Sequence, residues 1–559
     1  MTSRAASAPR RTSRSLSRFV LCPVALSPLA LCAGAAGLYA QSITPLVQEG
    51  DTVPGVGVVT GIQNVAINSS GQWTVEVDTD NADTDADEVM LRDGLVYLVE
   101  GQALPLPLGA TLDGFDALNR SELGFSAWNL RLDGTPGGIA DDTGVYVDTV
   151  LVVQEGGIST APEFSAGTPY TGFFDVKINE ANQLLVVGEV DDPALSSTID
   201  RALVRMDLDA SGALLSETVV VKEGDVLPGQ TESVEDVETG PHAFAFNNLG
   251  QALYVVDLEG DASVDGAVYQ DGTLLAQEGA ASPAAGRNWA TLARAEVDLN
   301  DAGDTVLSAQ LDGDAATSAV LVKNGAVFLQ EGDVPSGVAP DAITGFGTGP
   351  VLLTERGNVL WFATLTGAPS TAESLWLDQR LLVRTGVTQV NGVTITDLSN
   401  LQDGYTISPN GRHVVFEATL SDGTNGAYRL DLGPASAVSR NGAGTNTVCL
   451  VSVTDPVLGE DWIATVDATG HPGALATVIL AYDLPLTGLP TPWGELLVSP
   501  EALGGTLAAT STVFGGGLNV HTVPLPADAS LATLTAYTQA LIVGGGPELC
   551  NAVDVTLGF

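Results

Sequence analysis

Five aspartates, Asp78, Asp80, Asp83, Asp85 and Asp87, crowd the run from Asp78 to Glu88. Calcium takes about six to eight oxygens from flexible loops, and closely spaced carboxylates are a natural donor set for it. The run lacks the central glycine and the bidentate glutamate that complete a helix-flanked calcium loop, so a solvated acidic loop is the simpler reading. A second set of carboxylates recurs at long range. Glu49, Glu100, Glu155, Glu223, Glu278 and Glu331 each precede a glycine. A residue repeated in one place has a repeated job, and capping backbone amides beside a glycine of unusual φ suits it better than forming a ring of ligands.

Other chemistries are poorly supplied. The histidines, His242, His413, His471 and His521, are nowhere at metal-ligand spacing, and no Gly-x-Ser-x-Gly elbow, Cys–His pairing or phosphate loop occurs. Hydrolysis of a glycosidic bond needs only two carboxylates flanking it, so 68 acidic residues leave that reaction open. The same surplus excludes nucleic acid as a partner. The formal charge is −47, and Lys177, Lys222 and Lys323 are the only lysines, so the basic footprint a phosphate backbone requires is missing. With 45% hydrophobic residues the chain is globular rather than an acidic disordered one.

The elements that must carry these residues are short strands. Apolar and polar residues alternate in Gln72-Trp-Thr-Val-Glu-Val77 and Thr305-Val-Leu-Ser-Ala-Gln-Leu311, the periodicity of a strand with one face buried. Seven corners punctuate them: the glycines Gly50, Gly101, Gly156, Gly224, Gly279 and Gly332 after their glutamates, and Gly386 in the degenerate Val383-Arg-Thr-Gly-Val387. Between 18 and 23 residues after each comes a second marker, beginning at Asn68, Asn119, Asn179, Asn247, Asn300, Thr354 and Ser408. Two markers keeping one phase define a repeat of about 55 residues, and four strands fit each unit. In the first these are residues 64–67, 73–78, 89–92 and 96–100, the last pair joined by Asp93-Gly94. Asp-Gly and Asn-Gly supply the positive φ of a tight hairpin, and they recur at Asp271-Gly272 and Asn324-Gly325.

Four-stranded repeats predict an all-β chain whose units are the blades of a seven-bladed β-propeller. The seventh unit stops after its third strand, whereas residues 43–48 form an orphan fourth strand with no unit before it. Pairing that strand with residues 427–432 would clasp the ring by its termini and remove an exposed sheet edge. Tight turns should gather on one face. The other should collect the longer acidic loops, which is where a hydrolase's paired carboxylates would lie. The third unit is the longest, and its aromatics between Phe164 and Phe174 make it the candidate partner contact.

The markers Asn247-Asn-Leu-Gly250 with Tyr254, and Thr354-Glu-Arg-Gly357 with Trp361, resemble those of bacterial secreted tandem-repeat proteins that carry an Asn-x-x-Gly-x-x-x-aromatic motif. The resemblance covers residues 43 to about 432. It departs from the motif at Asn119, which lacks the glycine, at Asn179, which has Asn182 in its place, and in the last two units, which lack the asparagine. It implies a propeller-like extracellular protein and assigns no activity.

Residues 1–40 hold five arginines and no acid, then an apolar run from Phe19 to small residues before Ala40, which predicts a secretory signal peptide. Leu31 spoils the lipoprotein box around Cys32, and Arg10-Arg11 lacks the pattern that follows a twin-arginine pair. Cleavage would remove the five arginines and take the charge to −52. Cys449 and Cys550 then remain, and an even pair in an exported chain predicts a disulfide. Residues 41–433 make the propeller, small residues over 434–447 a linker, and 448–559 a β-sandwich. The stretches from Leu531 to Val543 and Asn551 to Gly558 resemble the C-terminal domain of large secreted planctomycete-type proteins, which implies an accessory or sorting module. The whole predicts a monomeric, non-catalytic binding or scaffolding protein, secreted, on the cell surface or periplasmic. It has no membrane span after cleavage, an extracellular protein or glycan as partner, and calcium as the sole candidate cofactor. An extracellular hydrolase acting on glycans is the alternative.

Overall fold

The computed structural model describes residues 42–194, 200–499, 506–513 and 517–559. The expected leader, residues 1–40, lies outside them. Alternating sequence becomes strand throughout, and among the described residues the only helices are single 3₁₀ turns.

Between Ser42 and Asp431 the strands form seven antiparallel sheets, built in order along the chain. Unit 1 consists of Gly57–Ile67, Trp73–Thr79, Glu88–Arg92 and Leu95–Val99, with the short Thr52–Val53 alongside. Its inner strand begins well before the alternating residues do, because the pairing with Trp73–Thr79 shifts register between Ile62 and Val65. An irregularity of that kind breaks the period of two on which sequence reading depends.

Each sheet packs on the next, and the inner strand of unit 1 meets Tyr405–Ile407 and His413–Leu420 of unit 7, so the neighbours form a closed circuit. The orphan strand lies where the sequence puts it. Ser42–Gln48 runs antiparallel to Asn425–Asp431, with Ile43 opposite Leu430 and Gln48 opposite Gly426. Val47, Val53 and Val75 share one buried cluster with Val415 and Ala427 of unit 7. Burial of each such valine contributes about 1.5–3 kcal/mol, so the first and last units are held by packing as well as by a strand ladder.

Two local devices explain the repeat. All seven corner glycines have positive φ, from +69° at Gly386 to +94° at Gly332. Each donates its N–H to the first strand of the next unit, as Gly50 to Val59, Gly101 to Leu112 and Gly332 to Ile343 at 2.7–2.9 Å. The preceding glutamate turns back onto its own sheet. Glu331 accepts from the amides of Ser318 and Ala319 at 3.1 and 3.2 Å, and Glu100 from that of Asp87 at 3.2 Å. Glu278 differs in reaching forward to the amide of Leu292 at 2.5 Å. Glu100, Glu278 and Glu331 are thus amide caps. The hairpin residues Asp93, Asp148, Asp271, Asn324 and Asp378 also have positive φ. Their side chains accept from the amide that opens the second strand, as Trp73 to Asp93 at 2.8 Å and Val359 to Asp378 at 2.9 Å.

Two expectations need correction. In unit 3, Phe164, Tyr170 and Phe173 are buried at 7%, 1% and 7% exposure, so these three offer no partner surface, and Phe174 is half-buried beneath Arg201; the Tyr170 hydroxyl is bound to Glu217 at 3.1 Å. Residues 434–447 are not simply a linker. Ser436–Arg440 is a strand paired with Glu548–Thr556, and Arg440 is anchored to Asp554 at 2.9 Å. Its small residues give no alternating pattern, so composition alone reads as loop.

Beyond Asp431 a five-stranded sheet faces a three-stranded one across a core containing Trp462, Val466, Ile479, Ile542 and Val553. Cys449 and Cys550 are joined as a disulfide within that core. This region is docked on units 6 and 7. Leu458, Ala529, Ala532 and Phe559 enter the buried cluster of Leu377, Leu382, Leu430 and Leu432. The Arg380 guanidinium donates to the carbonyls of Ala529 and Ala532 at 3.2 and 3.4 Å.

Candidate functional site: the axial cavity

The second marker of each unit is a turn whose fourth residue has positive φ: Gly71, Gly124, Asn182, Gly250, Gly303, Gly357 and Gly411. In unit 2 the turn is therefore Ser121-Glu-Leu-Gly124, two residues beyond Asn119, and the Gly124 amide bonds the Ser121 carbonyl at 3.0 Å just as Gly71 bonds Asn68 at 2.9 Å. Asn119 instead accepts from the amide of Ile178 at 3.0 Å.

The second residue of each of the first six turns, and the third residue of the seventh, links it to the next unit. Ser69 N–H donates to Glu122 at 2.8 Å, Glu122 N–H to Glu180, Glu180 N–H to Asn248 at 2.8 Å, Asn248 N–H to Asp301 at 2.7 Å, and Asp301 N–H to Glu355 at 3.0 Å. Glu355 N–H donates to the Pro409 carbonyl at 2.8 Å, and Asn410 N–H returns to the Ser69 hydroxyl at 3.0 Å. Seven turns are thus tied into one hydrogen-bonded circle. Asn179, Asn247 and Asn300 reinforce it by donating side-chain N–H to the following turn's carbonyl at 3.0 Å.

The circle surrounds a cavity of about 670 Å³ lined by residues from all seven units and by Gly459 and Glu460 of the C-terminal region. It opens on the face of the tight turns, not among the long acidic loops where the sequence placed candidate chemistry. Its inner end is crossed by chain. The inner strand is interrupted at residues 238–243 in unit 4, 346–351 in unit 6 and 399–404 in unit 7. His242 Nε2 meets the Gln402 carbonyl at 2.9 Å, Thr348 donates to the Asn400 carbonyl at 2.9 Å, and Tyr405 to the Pro350 carbonyl at 2.7 Å. Units 4 and 7 are not neighbours in the circuit, so the His242 bond spans the interior. Burial, with Lys177 nearby, pushes the His242 imidazole down to about 3, so it is neutral. A carbonyl only accepts, which assigns the donor N–H to Nε2.

The floor is polar. Lys177 Nζ lies 3.4 Å from Asp175, which is 4% exposed and whose carboxyl burial pushes up to about 6 against the pull of the lysine. Asp298 is also raised to about 6 by burial, although it accepts from the amides of Leu353 at 2.6 Å and Leu299 at 2.8 Å. Asp403 lines the same space and is raised by burial.

The aspartates of the acidic loop are dispersed. Asp80 accepts from the amide of Val58 at 2.7 Å, Asp78 from Gln63 at 3.2 Å and Asp83 from the amide of Asp85 at 3.4 Å, while the Asp87 carbonyl holds Thr79. Among the described residues no group of three or more histidine, cysteine or acidic side chains is arranged to hold a metal. Sequence reading missed the cavity. The signals were Gly-Pro within two inner strands, at Gly240-Pro241 and Gly349-Pro350, and an acid or amide at the second turn position in five of the seven units.

A family profile described as a family of unknown function (DUF7453) matches residues 40–432. No curated protein matches. Among solved structures, a Trypanosoma rangeli sialidase in complex with the inhibitor DANA is similar over 92% of this chain and 95% of its own, with 9% identity and a TM-score of 0.28. A protein of unknown function from Dyadobacter fermentans covers 58% of this chain and 98% of its own, with 12% identity and a TM-score of 0.26. An engineered GH43 glycoside hydrolase covers 80% and 96%, with 10% identity and a TM-score of 0.22. All three superpose too loosely to bear on the site.

Proposed function

The chain belongs to the DUF7453 family of unknown function, and from that footing we propose that it is an exported, non-catalytic binding and scaffolding ring. In this reading the seven sheets are the blades of a β-propeller over residues 41–433. The paired sheets of the C-terminal region are a β-sandwich, and the protein works as a monomer outside the cytoplasm. The disulfide supports export. No helix of the described residues is long and apolar enough to cross a membrane. The observation that carries the reading is the axial cavity: every unit contributes to its wall, and its inner end is spanned by the His242–Gln402 bond. A recess walled by rigid elements at a domain junction suits a ligand better than an open tunnel does. An extracellular protein segment or glycan is the ligand class proposed.

One feature favours glycan hydrolysis as a second reading. Asp298 and Asp403 line the cavity with carboxyls raised by burial, and a raised carboxyl can act as a general acid. Both Asp298 oxygens are engaged by backbone amides, however. Glycan and peptide arrays probed with the full chain separate the two. Binding that falls at least tenfold in Asp403→Asn, with no release of reducing sugar, is the expected result. Cleavage of a bound glycan that is abolished by Asp298→Asn would establish the hydrolase instead.

A further inference from the structure

The C-terminal region is fixed to the ring beside the mouth of the cavity and contributes to its wall. Leu458 and Phe559 are buried among unit 7 residues, and the Asn358 side chain donates to the Ala527 carbonyl at 2.5 Å. Between these anchors stands Glu460, 3.3 Å from Arg356, with its side chain 59% exposed. Arg356 also donates to the Asn410 carbonyl in the turn circle. The cations of the cavity wall are thus all engaged: Arg120 with Thr74 at 2.6 Å, Lys177 with Asp175, and Arg356 with Asn410 and Glu460. Carboxylates outnumber them there, with Glu122, Glu180, Asp298, Asp304, Glu355 and Asp403 contributed by five different units and Glu460 by the C-terminal region.

We propose that the C-terminal region completes the axial site, and that Glu460 is a specificity-determining residue through which it favours ligands bearing an ammonium or guanidinium group. The proposal rests on the axial cavity being the binding site. A bound cation would sit among carboxylates from separate units, and Glu460, its side chain 59% exposed and held by Arg356 at 3.3 Å, is the one whose partner a competing cation could replace, since Glu180 and Glu355 already accept amides of the turn circle. Removing it would weaken attraction at the mouth without touching the ring's own links.

Thiol-reactive probes of opposite charge read this directly. In the full chain with Cys22→Ser and Cys32→Ser, Ala302→Cys places a thiol on the exposed rim of the cavity, and Leu215→Cys, at 67% exposure, serves as a site outside it. The rates of modification by 2-(trimethylammonium)ethyl and 2-sulfonatoethyl methanethiosulfonate give a cation-to-anion ratio at each site. The ratio is expected to be higher at 302 than at 215. Glu460→Gln should lower it about three- to tenfold at 302 and leave 215 unchanged, and Arg356→Met, which frees Glu460, should raise it. A ratio at 302 no higher than at 215 overturns the cationic ligand class. A ratio that Glu460→Gln leaves unchanged, or shifts equally at both sites, overturns the role of Glu460. A thiol at 302 inert to both reagents while 215 reacts would instead show the cavity closed, and the proposed function would fail with it.

Discussion

At the scale of single residues, the repeated glutamates and glycines work as backbone chemistry. Glu331 satisfies the amides of Ser318 and Ala319 and the Ser318 hydroxyl with one carboxylate oxygen. Glu331→Ala should destabilise the protein by about 1–3 kcal/mol in urea unfolding, because those donors lose a charged acceptor; a change under about 0.5 kcal/mol would contradict the capping role. Other carboxylates are buried against their own charge. Glu76 is 3% exposed, its carboxyl is pushed up to about 8 by burial, and its main relief is the Asn64 side chain at 2.7 Å. Below about pH 4.5 it is protonated in both folded and unfolded chains; between there and about 8 only the folded chain keeps the proton, so stability is lost as pH rises through that window. Melting should therefore fall from pH 5 to pH 8. In Glu76→Gln the fall should be smaller, with a gain of roughly 1–3 kcal/mol at pH 8; a melting temperature that rises across the window would reject this account. The capping role was legible from repetition alone. The buried carboxylates were not, since a glutamate in an alternating strand reads as the solvent face until its neighbours in the next sheet are known.

At the scale of elements, the unit of construction is a strand pair stitched forward at both ends, by the corner glycine at one face and by the turn circle at the other. Asn247, 3% exposed, accepts from the amides of Leu249 and Gln251 and donates to the Asn300 carbonyl in the next unit. Asn247→Ala should cost roughly 2–4 kcal/mol, whereas Leu249→Ser on the exposed side of the same turn should stay within about 0.5 kcal/mol. Equal effects of the two would mean the turn circle contributes nothing. Strand number and hairpin turns could be read from sequence because Asp-Gly and Asn-Gly demand positive φ. The turn of unit 2 was misplaced by two residues because Asn119 imitates the marker, while Ser121 and Gly124 provide the geometry. The interruptions of the inner strands were missed because they pack against other interruptions far away in sequence, and a contact such as His242 to Gln402 leaves no local trace.

At the scale of the whole molecule, closure decides what the chain can do. The N-terminal strand completes the last sheet, the turns close a circle, and the C-terminal region leans over one side of the opening. The net charge of −47 was plain in the sequence and turned attention away from nucleic acid and toward the face of the long acidic loops, whereas the recess is lined by the tight turns. The long acidic loops use several of their carboxylates to hold their own backbones, while the recess forms where loops are shortest and the seven units converge. Hydrogen exchange measured with and without the strongest array ligand tests this most directly. Binding in the axial cavity predicts slowed exchange in the seven turn segments around residues 69, 122, 180, 248, 301, 355 and 410, spaced by the repeat. Protection confined to the acidic loops at 78–88, 133–142 and 257–265 would contradict it.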